Sequence, residues 1–206
     1  MKKKTSLAVS QQRPAGRRTG ALILNAEDRS ISIDMSKLGP PQRTYDADLA
    51  SLEHREGDIR LFFGKLKLPE RTALATRVEI RYPIESFHQH LWHNSRKFHE
   101  VLRGRAAGLI FRPPDQRQLH TLIADRDHSE WANFDFMGYS GTEAAIDFFH
   151  LPPTDIARFA KTGASANIGL EPILRVQLGV DQLLGLLESC AESVPEIEKY
   201  LRRGPE

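Results

Sequence analysis

Three histidines fall within seven positions in Phe87-His88-Gln89-His90-Leu91-Trp92-His93. Histidine is both the commonest metal ligand and the usual general base, so this cluster is the first place to look for chemistry. On a helix turning about 100° per residue, Ile84, Phe87, Leu91, Phe98 and Leu102 form one apolar stripe. His88 and His90 fall on its two flanks, and His93 lies well off it. Only His90 and His93 could share an ion, and a zinc site would need further ligands from elsewhere. The three are therefore expected to pack or face an interface, and no metal is expected. Gly138-Tyr139-Ser140-Gly141 lacks the glycine spacing of a nucleophile elbow and predicts a turn. The carboxylates and histidines of 46–56 and 125–130 lack an EF-hand glycine and predict solvated loop charge. No glycine-rich phosphate loop or dinucleotide fingerprint is present, and no cofactor is expected. The single cysteine, Cys190, has apolar neighbours on a predicted helix and is expected to be packed.

The elements that must position these residues recur. The segment from Gly20, GALILNAEDRSISIDM, has a counterpart from Ala107, AGLIFRPPDQRQLHTLI, at an offset of 87. Carried forward, this offset sets Asp48 on Asp135, Leu61 on Phe148 and Phe62 on Phe149. The second copy then holds nine extra residues, after which Val78, Ile80, Tyr82, Ile84, Phe87 and Leu91 fall on Leu174, Val176, Leu178, Val180, Leu183 and Leu187. In both copies an alternation of period two gives way to helical spacing at the same point. Each copy predicts up to five strands and a helix. In the first the strands are Leu22–Asn25, Ser30–Met35, Thr44–Leu52, Asp58–Leu66 and Ala75–Tyr82. Pro83 then opens a helix that Gly104 stops. In the second the helix starts near Val180 and is expected to break at Pro195, with Ser193 as a cap. A short helix is expected over 152–160. The duplicate sets His88, His90 and His93 against Leu184, Leu186 and Ser189, so the architecture does not require histidine there.

Six of the 29 basic residues, Lys2, Lys3, Lys4, Arg13, Arg17 and Arg18, lie in the first 19 positions without an acid. This predicts a disordered basic tail on a mildly acidic body, and it supplies an alternative function as a nucleic-acid-binding accessory protein. No apolar run approaches the roughly 20 residues needed to cross a bilayer, so no membrane association is expected and the cytoplasm is the expected location. The expected organisation is a tail over 1–19, a first α+β repeat over 20–104 and a second over 105–206.

The run DIRLFFGKL followed by TRVEIRYPIESFHQHL resembles a family of short uncharacterised bacterial and archaeal proteins through Phe63, Gly64, Arg77, Val78 and Pro83. The second copy resembles the same family through Asn133, Phe134, Glu143, Asp147, Phe148 and Pro152, where the first copy has Asp46 and Arg60 in place of Asn133 and Asp147. An antiparallel sheet followed by a helix also resembles the export chaperone SecB, here in tandem duplicate. The resemblance implies a binding role. The chain is thus expected to be an α+β protein of two SecB-like repeats. Its expected role is a non-catalytic protein-binding or chaperone-like one, as a homo-oligomer or as a subunit bound to a protein partner. Strand alternation puts Phe62 and Phe149 beside charge on an outer face, making them the expected partner-binding residues.

Overall fold

The computed structural model describes residues 21–26, 29–34, 39–55, 57–67, 73–105, 116–124, 127–152, 154 and 172–203. The basic tail and nearly all of 152–160 lie outside them. The alternating segments form strands. They are β1 (Ala21–Ala26), β2 (Arg29–Asp34), β3 (Thr44–Ala47), β4 (Leu49–Arg55), β5 (Asp58–Leu66), β6 (Leu74–Pro83), β7 (His128–Trp131), β8 (Phe134–Ser140), β9 (Glu143–Phe149) and β10 (Leu174–Gly179). The helical segments are α1 (Ile84–Ser86), a π-helical turn over Phe87–Trp92, α2 (His93–Arg105), α3 (Gln116–Ala124) and α4 (Val180–Arg203). Among the described residues β1 and β2 pair only with each other, as an antiparallel hairpin. The other strands form two four-stranded sheets, ordered β4-β5-β6-β7 and β8-β9-β10-β3. The fold is α+β, and the last helix follows the last strand directly.

The sheets are mixed rather than purely antiparallel, because the strand expected at Thr44–Leu52 breaks at Asp48. The Asp48 N–H donates to the Gly64 carbonyl at 2.8 Å, and its carboxylate accepts the Leu66 N–H at 2.9 Å. This clamp turns the chain, so that β4 pairs antiparallel with β5 while β3 runs parallel to β10 in the other sheet. Asn133 repeats the device. Its N–H donates to the Phe149 carbonyl at 3.0 Å and its Oδ1 accepts the Leu151 N–H at 2.7 Å, sending β7 parallel to β6. Each copy therefore lends its first sheet strand to the other. The helices cross as well: α4 packs on β4, the π-helical turn packs on β8, and α2 packs against α4. Tyr200 of α4 meets His54 edge-on at 5.9 Å, and Phe98 of α2 meets Tyr139 at 5.4 Å.

The clamps also fix the register between copies. The hairpin turns at Gly57 (φ 79) and Gly141 (φ 62) use the left-handed backbone open to glycine. They align Arg55 with Ser140 and Asp58 with Glu143, so the true offset over β3–β5 is two residues less than the expected 87. A slip of two keeps every side chain on its face, so the expected inner positions hold although their partners change. Leu61, Phe63, Val78 and Ile80 of one sheet, and Ile146, Phe148, Leu174 and Val176 of the other, share one core with Ile84, Phe87, Leu91, Leu183 and Leu187. Phe63 and Phe148 meet across the sheets at 5.9 Å. Each such side chain contributes about 1.5–3 kcal/mol on burial.

Three local expectations are corrected. The counterpart of β2 is a helix, α3, because Leu119, Leu122 and Ile123 follow helical spacing and pack on Phe62, Leu66 and Leu74. Helix α4 runs unbroken through Pro195. Ser193 donates to the Ser189 carbonyl at 2.9 Å instead of capping, and the fully buried Cys190 and Ile197 anchor the helix on both sides of the proline. Pro83 stands before the first helical residue rather than within the first turn, and the helix continues past Gly104 to Arg105.

Candidate functional site

The outer face of β4–β7 carries a lateral row, one residue per strand: Glu53, Arg60, Arg81 and Trp131. Two arginines directly opposite on neighbouring strands repel, and the residues below them offset this. The Asp58 carboxylate accepts from Arg81 Nε at 3.0 Å and Nη2 at 2.9 Å, and lies 3.5 Å from Arg60 Nε. Glu79, almost wholly buried, lies 3.2 Å from Arg60 Nη1. The Arg81 guanidinium sits 4.1 Å above the Trp131 ring, yet Trp131 remains 45% exposed. Arg55 Nε donates to Glu53 at 2.9 Å, and that hydrogen bond and charge raise the arginine's pKa. His54, Arg55, Gly57, Asp58, Arg60, Arg81 and Trp131 line an open cleft of about 720 Å³. The edge strand β7 is pinned by Arg77, which donates to Asp127 from its backbone N–H at 2.9 Å and from Nη2 at 3.0 Å. The arginine side-chain hydrogen bond holds the Asp127 carboxyl below its ordinary pKa.

The equivalent row on the other sheet is Gly138, Ala145, Gln177 and Asp46. It has neither arginine nor aromatic. Where Phe62 and Glu79 stand on the first sheet, the second has Asp147 and Arg175, joined by two charge-assisted bonds of 2.6 and 2.7 Å.

Two further polar groups join the copies. At the facing ends of β3 and β7, Arg43 and His128 both meet Glu130, at 3.1 and 2.8 Å, and Tyr45 stacks on His128. In the core, the Tyr82 hydroxyl donates to Asp135 at 3.0 Å. Burial raises the Asp135 carboxyl pKa to about 7, against the lowering effect of the Tyr82 bond. Burial and the Asp135 charge also raise the Tyr82 hydroxyl pKa. Cys190 is fully buried, and burial, reinforced by Asp135, pushes its thiol pKa up, so the thiol stays protonated.

Phe62 and Phe149, expected at a partner surface, are both fully buried. α3 covers Phe62 through Leu122, and Phe149 packs on Phe134 at 5.6 Å. Nor are they equivalent: in the observed register Phe62 matches Asp147 and Phe149 matches Gly64. Both are packing residues in this structure. His88 lies 3.6 Å from Glu198 of α4, while the side chains of His90 and His93 lie outside the described part. Asp46 and Glu53 lie in strands β3 and β4 rather than a loop, Asp48 lies between those strands, and Asp127 immediately precedes the edge strand that holds Glu130. Among the described residues no group of three or more His, Cys, Asp or Glu is placed to hold a metal ion, and no helix is long and apolar enough to cross a membrane. Sequence reasoning missed Trp131 and Arg81. The opposed arginines become visible only once β5 and β6 are paired in register.

Comparison of the chain with protein-family models, with curated proteins and with solved structures finds no match.

Proposed function

We propose that this chain is a non-catalytic protein-binding subunit of a complex, and that its partner docks on the outer face of β4–β7. The observation carrying this reading is Trp131, half exposed beneath a fixed guanidinium on one of two equivalent faces. Tryptophan and arginine dominate the residues whose removal costs binding, because they combine large contact area with directed donors. The equivalent row of the other face, Gly138, Ala145, Gln177 and Asp46, does without both, so the architecture does not demand them there. Four strands at about 4.8 Å spacing give a platform roughly 14 Å across, wide enough for an extended segment of a partner. The test is Trp131→Ala, compared with the parent chain by co-purification from the native host and by titration against the recovered partner. The reading expects partner loss with unchanged secondary structure. An undiminished affinity would contradict it.

A further inference from the structure

We infer, resting on that reading, that the segment held in the cleft is acidic, with a carboxylate reaching Arg55 and Arg81 beside an apolar side chain laid on Trp131. Asp58 takes Nε and Nη2 of Arg81, which leaves Nη1, and Glu53 takes only Nε of Arg55. Among the described residues, the two Nη groups of Arg55 meet no acceptor. Of the acids in and beside the cleft, Asp58 at 7% side-chain exposure and Glu79 at 1% lie low, and Glu53 at 30% is engaged by Arg55 Nε, while Arg55 and Arg81 stand at 46% and 33%. The surface offered outward is therefore one of N–H donors, whose flat fork matches a carboxylate.

Charge selects the ligand class. Arg55, Arg60 and Arg81 are balanced by Glu53, Asp58 and Glu79. Nucleic-acid affinity comes largely from neutralising many phosphates with surplus positive charge, which this face lacks. A single carboxylate asks for no surplus, only for donors held in place, and the ion pairs with Asp58 hold Arg81 before any ligand arrives. The exposed indole supplies the apolar contact that a carboxylate alone would not give.

The test is selection of a random heptapeptide display library on the full chain, followed by affinity measurements on synthesised peptides. Enriched peptides are expected to carry Asp or Glu within two residues of a large apolar side chain. Changing that acid to its amide should weaken binding about tenfold, on the scale of a charge-assisted pair. Arg55→Gln should weaken the acidic peptide by a similar factor and leave the amide peptide unaffected, and Trp131→Ala should abolish both. If acid and amide peptides bind equally but both need Trp131, the docking reading stands and the acidic inference falls. If no peptide is enriched over the Trp131→Ala chain, the docking reading itself fails. If a 30-nucleotide oligo(dT) binds the cleft as tightly as the peptides and displaces them, the ligand is a nucleic acid and the inference is overturned.

Discussion

Leu61, Phe63 and Ile80 of one sheet stand where Ile146, Phe148 and Val176 stand in the other, yet behind them Arg60 and Arg81 stand where Ala145 and Gln177 stand. The inner faces are alike because they fill one shared core, where a lost methylene leaves a void. The outer faces lie away from that shared core and meet different neighbours, α3 over Phe62 on one sheet and Phe134 against Phe149 on the other, so they are free to differ. A duplicated architecture thus contains its own control. What both halves share is structural, and what one half alone displays needs a separate explanation. By that rule the Trp131 row stands apart, and so does a pair in the core, since Tyr82 and Asp135 occupy the positions held by Leu178 and Ala50 in the other copy.

The largest loss of stability is expected at the two buried phenylalanines of the outer faces. Phe62→Ala and Phe149→Ala should each cost about 3–5 kcal/mol of unfolding free energy, as buried phenylalanines do. A loss below roughly 1 kcal/mol in denaturant titration would return them to the surface role that their alternation suggested.

The core pair is next. Asp135 titrates near 7 in the folded chain and near its ordinary 3.8 unfolded, so the folded state binds the proton more tightly. Stability should therefore be undiminished by this group below about pH 4, fall as pH rises from about 4 to 7, and stay lowered above that. The full loss is on the order of 4 kcal/mol. Copying the other half, Tyr82→Leu with Asp135→Ala, should remove this slope and leave the chain more stable at pH 8 than the parent. Chemical denaturation at a series of pH values measures both, and an unchanged slope would show that another group titrates.

Gly64 offers a smaller test. A Cβ there would stand 2.8 Å from Leu122 Cδ1 and 3.0 Å from Leu74 Cδ2, whereas its counterpart Phe149 is accommodated. Gly64→Ala should cost about 1–3 kcal/mol by overpacking α3 against the sheet. Equal stability would mean that α3 can lift without loss.

Much of the fold was legible in the sequence. The alternation in DIRLFFGKL placed β5 at Asp58–Leu66 as observed, and the switch of period at Pro83 and near Val180 placed the helix starts to within one residue. Alternation cannot say which sheet a strand joins, so the exchange of β3 and β7 stayed hidden until Asp48 and Asn133 showed their backbone clamps. Identities such as Asp48 with Asp135 favoured an offset two residues too long. That error preserved the faces but wrongly equated Phe62 with Phe149. The expected exposure of Phe62 and Phe149 is overturned for a related reason: a strand's own pattern tells inside from outside and says nothing of a helix such as α3 that covers the outside. Trp131, Arg81 and Arg60 meet across three strands, so no local window holds them together.

The smallest effect on stability is expected where the effect on binding is largest. Trp131→Ala removes one exposed cation–π contact, worth about 0.5–1 kcal/mol, and Arg55→Gln removes a solvent-screened surface pair that adds little to stability. The most direct measurement of the central claim is therefore a set of binding isotherms for the recovered partner, using the parent chain, these two variants, and Asp46→Ala and Gln177→Ala from the equivalent row. The one-sided site predicts that Trp131→Ala and Arg55→Gln each lose at least tenfold in affinity, a difference of about 1.4 kcal/mol, while the variants of the other row bind as the parent does. Equal affinity across all five chains, or losses confined to Asp46→Ala and Gln177→Ala, would contradict it.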